Sequence, residues 1–288
     1  LSKEALAAFV AAMGEKPFRA RQLHRWLHRS GAATFEEMTD LPKGVREALR
    51  QRATLTTLTV ASEQRSRDGT IKWTWRTADG KLIESVYMPE AERKTLCVSS
   101  QVGCAIGCTF CMTGTMGLAR HLTPGEIVDQ VHRANRRLVE LGEGPAPRPL
   151  TNVVFMGMGE PLDNWDEVYK SLEILTSEKL MNMGAGRITV STIGIHEHFN
   201  DLIEKTRVNI AISLHSPFPE ERAHIMPAQN SNPVGDILDA VAHADIPRHR
   251  KLSFEYILFK GINMSKSHAS KLADLAMRCH AHINLIAY

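Results

Sequence analysis

No stretch of 18 apolar residues occurs anywhere in the 288-residue chain, so nothing in it reads as a membrane span. The start, Leu1-Ser2-Lys3-Glu4, carries no signal-peptide pattern. Low-complexity tracts are missing, and so are internal repeats beyond an alternation of strand and helix patterns. Net charge is only +3, with 35 Lys and Arg against 32 Asp and Glu, so the chain as a whole does not announce a polyanionic partner. Cysteine is scarce: there are five, and three fall within eight residues. That distribution argues for a metal site in a reducing compartment, not a disulfide framework. What is present, 43% hydrophobic and 23% charged residues, is an ordinary globular composition with room for one large or two modest domains.

The three clustered cysteines are Cys104, Cys108 and Cys111, spaced C-x3-C-x2-C. Thiolates select iron in clusters, zinc or Cu(I). A closed zinc site wants a fourth Cys or His nearby, whereas a four-iron cluster on three thiolates keeps one iron open for another ligand. Gly103 and Gly107 let the backbone wrap closely around a bulky group. On these residues alone an iron–sulfur cluster and a zinc knuckle stand about level, and Cys108 with Cys111 also reads as a redox C-x-x-C.

Residues 1–54 read as short helices. Pro17-Phe18 opens one with Leu23, Trp26 and Leu27 on a face, and Thr39-Asp40-Leu41-Pro42 is expected to cap another that runs to about Ala53. Arg21, Arg25 and Arg29 recur every four residues along one side. Such a stripe is either a solvated face or the footprint of a phosphate backbone. Residues 55–90 switch to period two, with Ile71, Trp73 and Trp75 alternating with polar residues and turn signals at Asp68-Gly69 and Asp79-Gly80. Glu84 sits there among apolar neighbours.

From residue 91 to 288 strand and helix patterns alternate. Strands are predicted at 96–100, 151–156, 187–191, 208–213, 252–258 and 282–287, with helices at 123–141, 166–176, 234–244 and 265–278. Six alternations predict an α/β fold, a partial (β/α)6 barrel with right-handed crossovers. Chemistry in such barrels lies at the carboxyl ends of strands. The rule brings together the cysteine loop, Gly157-Met-Gly-Glu-Pro161, Ser191-Thr192 and Ser213-Leu-His215. It sends Cys279, which precedes the last strand, to the opposite face, where packing is its expected role.

The cysteine spacing resembles the signature of the radical S-adenosylmethionine (radical SAM) enzymes. Cys97-Val-Ser-Ser-Gln-Val-Gly-Cys104, Cys111-Met-Thr-Gly114 and Gly157-Met-Gly-Glu-Pro161 are similar to the RlmN/Cfr family of RNA adenosine methyltransferases, and the order of motifs matches from about Lys16 to Tyr288. The resemblance implies a [4Fe-4S] cluster on Cys104, Cys108 and Cys111, with SAM on the open iron. It implies SAM contacts at Gly159, Glu160, Ser191, Ser213, Leu214, His215 and Asn284, the last as a buried amide. It also implies that Glu84 handles protons at the target adenine, that Cys97, at the start of its strand, resolves a protein–RNA crosslink, and that the N-terminal helices with Arg21, Arg25 and Arg29 hold RNA.

The implied reaction methylates adenine C2 in 23S rRNA, and in tRNA, through a methyl-cysteine. The electron donor would be of flavodoxin or ferredoxin type. The enzyme would be a monomer in the bacterial cytoplasm or an organelle, away from membranes. The methyl-carrying cysteine is expected some tens of residues beyond Asn284-Leu-Ile286, past Tyr288, so the C-terminal end reads as missing. A C8-methylating relative, a radical enzyme on a non-RNA substrate, and a non-catalytic RNA- or zinc-binding protein are the alternatives.

Overall fold

The computed structural model describes residues 3–247 and 249–288, so the first two residues of the expected helical region lie outside the described residues. The chain forms two compact units interleaved in sequence. One comprises Leu1–Val98, Leu122–Val153 and Asp166–Gly184; the other comprises Ser99–His121, Val154–Trp165 and Ala185–Tyr288.

In the first unit, helices α1 (Lys3–Ala12), α2 (Phe18–His24) and α3 (Lys43–Arg52) bury Leu6, Val10, Leu23, Met38, Leu41 and Leu49 against one another. After α2 the chain widens into a π-helical stretch, Arg25–Ser30, and leaves through Gly31 at φ 67°. The expected cap of α3 by Thr39-Asp40 does not form. Pro42 occupies the cap position with no side-chain bond, and the Asp40 carboxylate instead accepts hydrogen bonds from Gln22, Arg25 and Trp26. A cationic helix next to it outcompetes one backbone N–H.

Strands β1 (Leu58–Arg65), β2 (Ile71–Thr77), β3 (Leu82–Pro89) and β4 (Lys94–Cys97) follow as an antiparallel meander. The period-two pattern of β2 is real. Ile71, Trp73 and Trp75 are buried, and the two indoles stack at 5.7 Å. Their N–H groups are satisfied, Trp73 by Glu63 at 2.9 Å and Trp75 by Ser85 at 2.9 Å.

The second unit begins with a two-stranded antiparallel ribbon, β5 (Gln101–Gly103) and β6 (Leu118–His121), which frames the cysteine loop and the single turn α4 (Met112–Thr115). Helix α5 (Pro124–Glu140) belongs to the first unit. It starts at a capping box, Thr123 with Glu126, and presents Ile127, Val131, Ala134 and Leu138 to the core. Strand β7 (Asn152–Phe155) passes from the first unit to the second, and α6 (Trp165–Thr176) passes back.

The remainder is β8 (Ile188–Thr192), α7 (His196–Lys205), β9 (Asn209–Ser213), α8 (Pro219–Ile225), α9 (Val234–His243), β10 (Leu252–Leu258), α10 (Lys266–Cys279) and β11 (His282–Ala287). Strands β8 to β11 pair side by side, all parallel, as connecting helices require. Helices α7 and α8 had no predicted counterpart. Helix α8 is only seven residues with charges crowded into its first turn, and the apolar set of α7 is just Phe199, Leu202 and Ile203, so neither shows a long apolar period. Among the described residues no helix is long and apolar enough to cross a membrane.

Candidate active site

The cysteine loop hangs from the β5–β6 ribbon. It is shut at its base by Cys104 N–H donating to Gly117 O at 3.0 Å. A side chain at Gly103 would put its Cβ 1.9 Å from that same carbonyl, and Gly103 and Gly107 adopt φ of 80° and 71°. Only glycine fits at the crossing. Cys104, Cys108 and Cys111 are each half-buried and in no disulfide. Burial pushes the Cys104 thiol up to about 11 and the Cys108 thiol up to about 12, with the neighbouring thiols and Glu160 adding to the shift. A site that raises its own thiols so far needs a positive partner to hold them as thiolates.

A chain of hydrogen bonds joins this ribbon to the strand ends. Ser100 N–H and Gln101 N–H donate to Met158 O at 2.8 and 3.1 Å, and the Gln101 amide spans Glu160 N at 2.8 Å and Asp163 at 2.7 Å. Gly159 sits at φ 101°, where a Cβ would lie 2.5 Å from the Gln101 Cβ. The glycine therefore sets how closely the two loops approach. Glu160 is buried. Its Oε1 accepts from Leu162 N at 3.0 Å and Thr192 Oγ1 at 2.6 Å, and its Oε2 from Ile193 N at 3.0 Å. Burial raises this carboxyl to about 7 despite those donors. Glu160 therefore ties the loop after β7 to the end of β8 as well as offering a carboxylate.

Strand register puts several predicted residues on one face. Ser191 pairs with Ala211, Ser213 with Glu255, and Glu255 with Asn284. With a side-chain period of two, Ser191, Ser213, Glu255 and Asn284 all point the same way. Asn284 Nδ2 donates to Glu255 Oε2 at 2.7 Å. Asn284 is not the buried amide expected: all six residues of β11 are exposed, and it is Glu255 that is buried. Nothing in the run Phe254-Glu-Tyr-Ile singled out Glu255, because an acid inside a strand usually faces water.

Leu214 is wholly buried, and its backbone N–H and carbonyl are taken by Glu255 O and Arg222 Nε. His215 follows at φ 55°, a left-handed conformation for a non-glycine residue. Asn263 holds it there by donating to His215 O at 2.7 Å. Ile257 N–H donates to His215 Nδ1 at 3.2 Å, which leaves the proton on Nε2. Burial, with the Arg222 charge, pulls this imidazole down to about 3, so the ring is neutral.

Arg222 was missed at the sequence level. It is 0% exposed and donates to the carbonyls of Ile193, Ser213 and Leu214 and to the Gln229 side chain. Burial draws its pKa down to about 10, which still leaves it cationic at neutral pH.

Glu84 and Cys97 belong to the first unit. Cys97 is the last residue of β4, not the first of a strand as expected. It pairs with Val86, which places it on the same face as Glu84 two residues away. Glu84 bonds Lys72 at 3.0 Å with 43% of its side chain exposed. Arg21, Arg25 and Arg29 are exposed, and Arg25 is ion-paired with Asp40. Cys279 is buried in α10 with its thiol on Leu238 O at 3.6 Å, which accords with the packing role.

Among the described residues no three Cys, His, Asp or Glu side chains are grouped to hold a single metal ion. A cluster spreads its ligand sulfurs more widely than one ion does. The donor set of three half-buried thiols on one loop, with no fourth ligand, suits a cluster with one open iron.

A thiol loop on a glycine-hinged ribbon, stitched to the carboxyl ends of parallel strands, defines a radical SAM enzyme, and residues 98–272 match the Radical SAM superfamily. Residues 1–55 match the ribosomal RNA large subunit methyltransferase N-terminal domain. The dual-specificity RNA methyltransferase RlmN of Anaeromyxobacter dehalogenans is 56% identical over 100% of this chain and 77% of its own length. RlmN 2 of Myxococcus xanthus is 48% identical over 100% of this chain and 76% of its own length. The crystal structure of a radical SAM methyltransferase from Sphaerobacter thermophilus superposes with a TM-score of 0.89 at 43% identity, covering 99% of this chain and 83% of that one. The chain belongs to the RlmN family. The expected α/β class, with a mostly parallel sheet, an N-terminal helical region and antiparallel strands, is borne out, and membership implies a [4Fe-4S] cluster and SAM as cofactors.

Proposed function

We propose that this chain methylates C2 of an adenosine in 23S rRNA and accepts tRNA as a second substrate. The observation that carries this reading is the three-thiol ribbon bonded through Gln101 to the Glu160 loop. The relatives' names as dual-specificity RNA methyltransferases support RNA as the substrate and both RNA classes.

Cys104, Cys108 and Cys111 hold the cluster. Held there and reduced by a flavodoxin- or ferredoxin-type donor, a cluster would supply one-electron reduction of SAM. Gly159 lets the backbone approach SAM and Glu160 takes its amine. Ser191, Ser213, Leu214, His215 and Asn284 hold the rest of the molecule. Glu84 moves a proton at the adenine, and Cys97 on the same strand face resolves the crosslink by thiol exchange, which requires a reachable thiolate. The neutral His215 offers its Nε2–H as a donor. Residues 1–54 and the Arg21, Arg25 and Arg29 row hold RNA, residues 55–90 form the strand extension, and 91–288 carry the chemistry. The enzyme works as a monomer in bacterial cytoplasm or an organelle.

Anaerobic reconstitution with iron, sulfide, reductant and methyl-labelled SAM, followed by mass analysis of nucleosides from 23S rRNA and tRNA, tests the reading. SAM cleavage that disappears on replacing any of the three cysteines is expected, with label at adenine C2 where the methyl-carrying cysteine expected past Tyr288 is present. Label at C8, or SAM cleavage indifferent to the cysteines, would overturn it. For the RNA face, R21Q with R29Q should flatten the log–log salt dependence of RNA binding by about 1.4 to 1.8 units, from about 0.7 to 0.9 per lost phosphate contact. An unchanged slope would remove the helix from the interface.

A further inference from the structure

Among the described residues Arg222 has no carboxylate partner. Its donors go to four neutral oxygens, the carbonyls of Ile193 (2.9 Å), Ser213 (3.0 Å) and Leu214 (3.2 Å) and the Gln229 amide oxygen (2.5 Å). The side chain is fully buried. A guanidinium in that setting is costly unless an anion completes it. Its neighbour in sequence, Glu221, is committed elsewhere, to His268 and Ser216. What lies close is the cysteine loop. Thr109, next to Cys108, donates from both its N–H and its Oγ1 to Ile225 O at 3.0 and 3.2 Å, three residues along α8 from Arg222. Ile193, Ile225 and Met226 pack with Cys108, Ile106 and Phe110 in one apolar cluster. The Arg222 charge exerts a small electrostatic pull on the Cys108 thiol, secondary to burial.

We propose that Arg222 is the buried counter-charge of the iron–sulfur loop, a positioning residue that sets how readily the three-cysteine cluster accepts its electron. The inference rests on the radical SAM reading of the loop. Three thiolates and a 2+ core carry a net charge of −1. One electron from a low-potential one-electron donor takes this to −2, with no bond made or broken in that step. A fixed buried cation favours the −2 state, and net charge around a cluster is a main determinant of its potential. Arg222 also holds the loops after β8 and β9 by their carbonyls, so the charge stays where the cysteine loop needs it.

The test is a reductive titration of the reconstituted protein, followed by electron paramagnetic resonance, with iron and sulfide counted. Arg222→Met keeps bulk and removes charge. Arg222→Lys keeps charge and loses the clamp. Gln229→Leu removes one acceptor and keeps the charge. At the potential that half-reduces the parent protein, R222M should show a reduced-to-oxidised ratio at least tenfold lower, which is 59 mV for one electron. R222K and Q229L should stay within about threefold. An unchanged ratio in R222M at full iron content overturns the proposal, as does an equal shift in R222K or Q229L. If R222M takes up no iron, the other two decide: a tenfold shift in either refutes the charge role. A parent protein with no four-iron signal would instead sink the reading of the loop itself.

Discussion

Lowering the pH from 7.5 to 5.0 should selectively destabilise the N-terminal helical region through His28. This imidazole is 8% exposed, and neither ring nitrogen has a hydrogen-bond partner among the described residues. It lies edge-on to His24 at 5.1 Å and against His132 of α5 at 5.7 Å, and both His28 and His132 line a cavity of about 1970 Å3. Burial, reinforced by His132 and His24, holds His28 down to about 2, against an ordinary value of 6.5. Burial likewise holds His132 down to about 4. The folded pKa lies below the unfolded one, so the unfolded chain binds the extra proton throughout that window. Stability is full above about 6.5 and falls as pH drops below it. At about 1.4 kcal/mol per pH unit, His28 alone removes about 2 kcal/mol between pH 6.5 and 5.0, and His132 acts in the same direction. That is a large share of a typical 5–15 kcal/mol. Urea unfolding of the parent and of His28→Phe, followed by tryptophan fluorescence, isolates the effect, because carboxylates elsewhere titrate in both. The parent should lose about 2 kcal/mol more than H28F across that range. Equal pH slopes for the two proteins would refute the reasoning.

Gly159→Ala puts a Cβ at φ 101° and 2.5 Å from Gln101, so a loss of about 2 kcal/mol or more is expected in chemical denaturation; a loss under about 0.5 kcal/mol would show that the two loops can part freely. Asn263→Ala removes the donors to the buried His215 O and the part-buried Ile257 O and strands the buried Phe259 N–H. About 3 kcal/mol should be lost, and calorimetry that finds a surface-like change would mean His215 holds its left-handed conformation unaided.

What could be read without coordinates was whatever is written locally. The spacing of Cys104, Cys108 and Cys111, the alternation through Trp73 and Trp75, and the turn glycines at 69 and 80 each encode their geometry within a few residues. Strand limits came within two or three positions for the same reason. The errors have one physical source. Asp40 looks like a helix cap until Arg25 and Trp26 arrive from 14 or 15 residues away. Asn284 looks buried because its neighbours are apolar, yet β11 is exposed on both faces. Cys97 is placed near a strand start because the apolar run begins at Leu96, whereas β4 already begins at Lys94.

Charge shows the limit most clearly. Arg21, Arg29 and Arg222 are indistinguishable as letters, and the regular spacing of the first two drew attention away from the third. The helical stripe is solvated, where an ion loses little and each contact is modest. Arg222 sits buried among four carbonyl-type oxygens gathered from the ends of β8 and β9 and the turn after α8. Only a charge that survives burial without a carboxylate raises the question of what anion it awaits. That question arises from hydrogen bonds spanning 7 to 29 residues, which no window along the chain contains. The unexplained cation beside the cysteines, not the visible row of cations, is therefore where the fold adds most to the chemistry the cysteine spacing already announces.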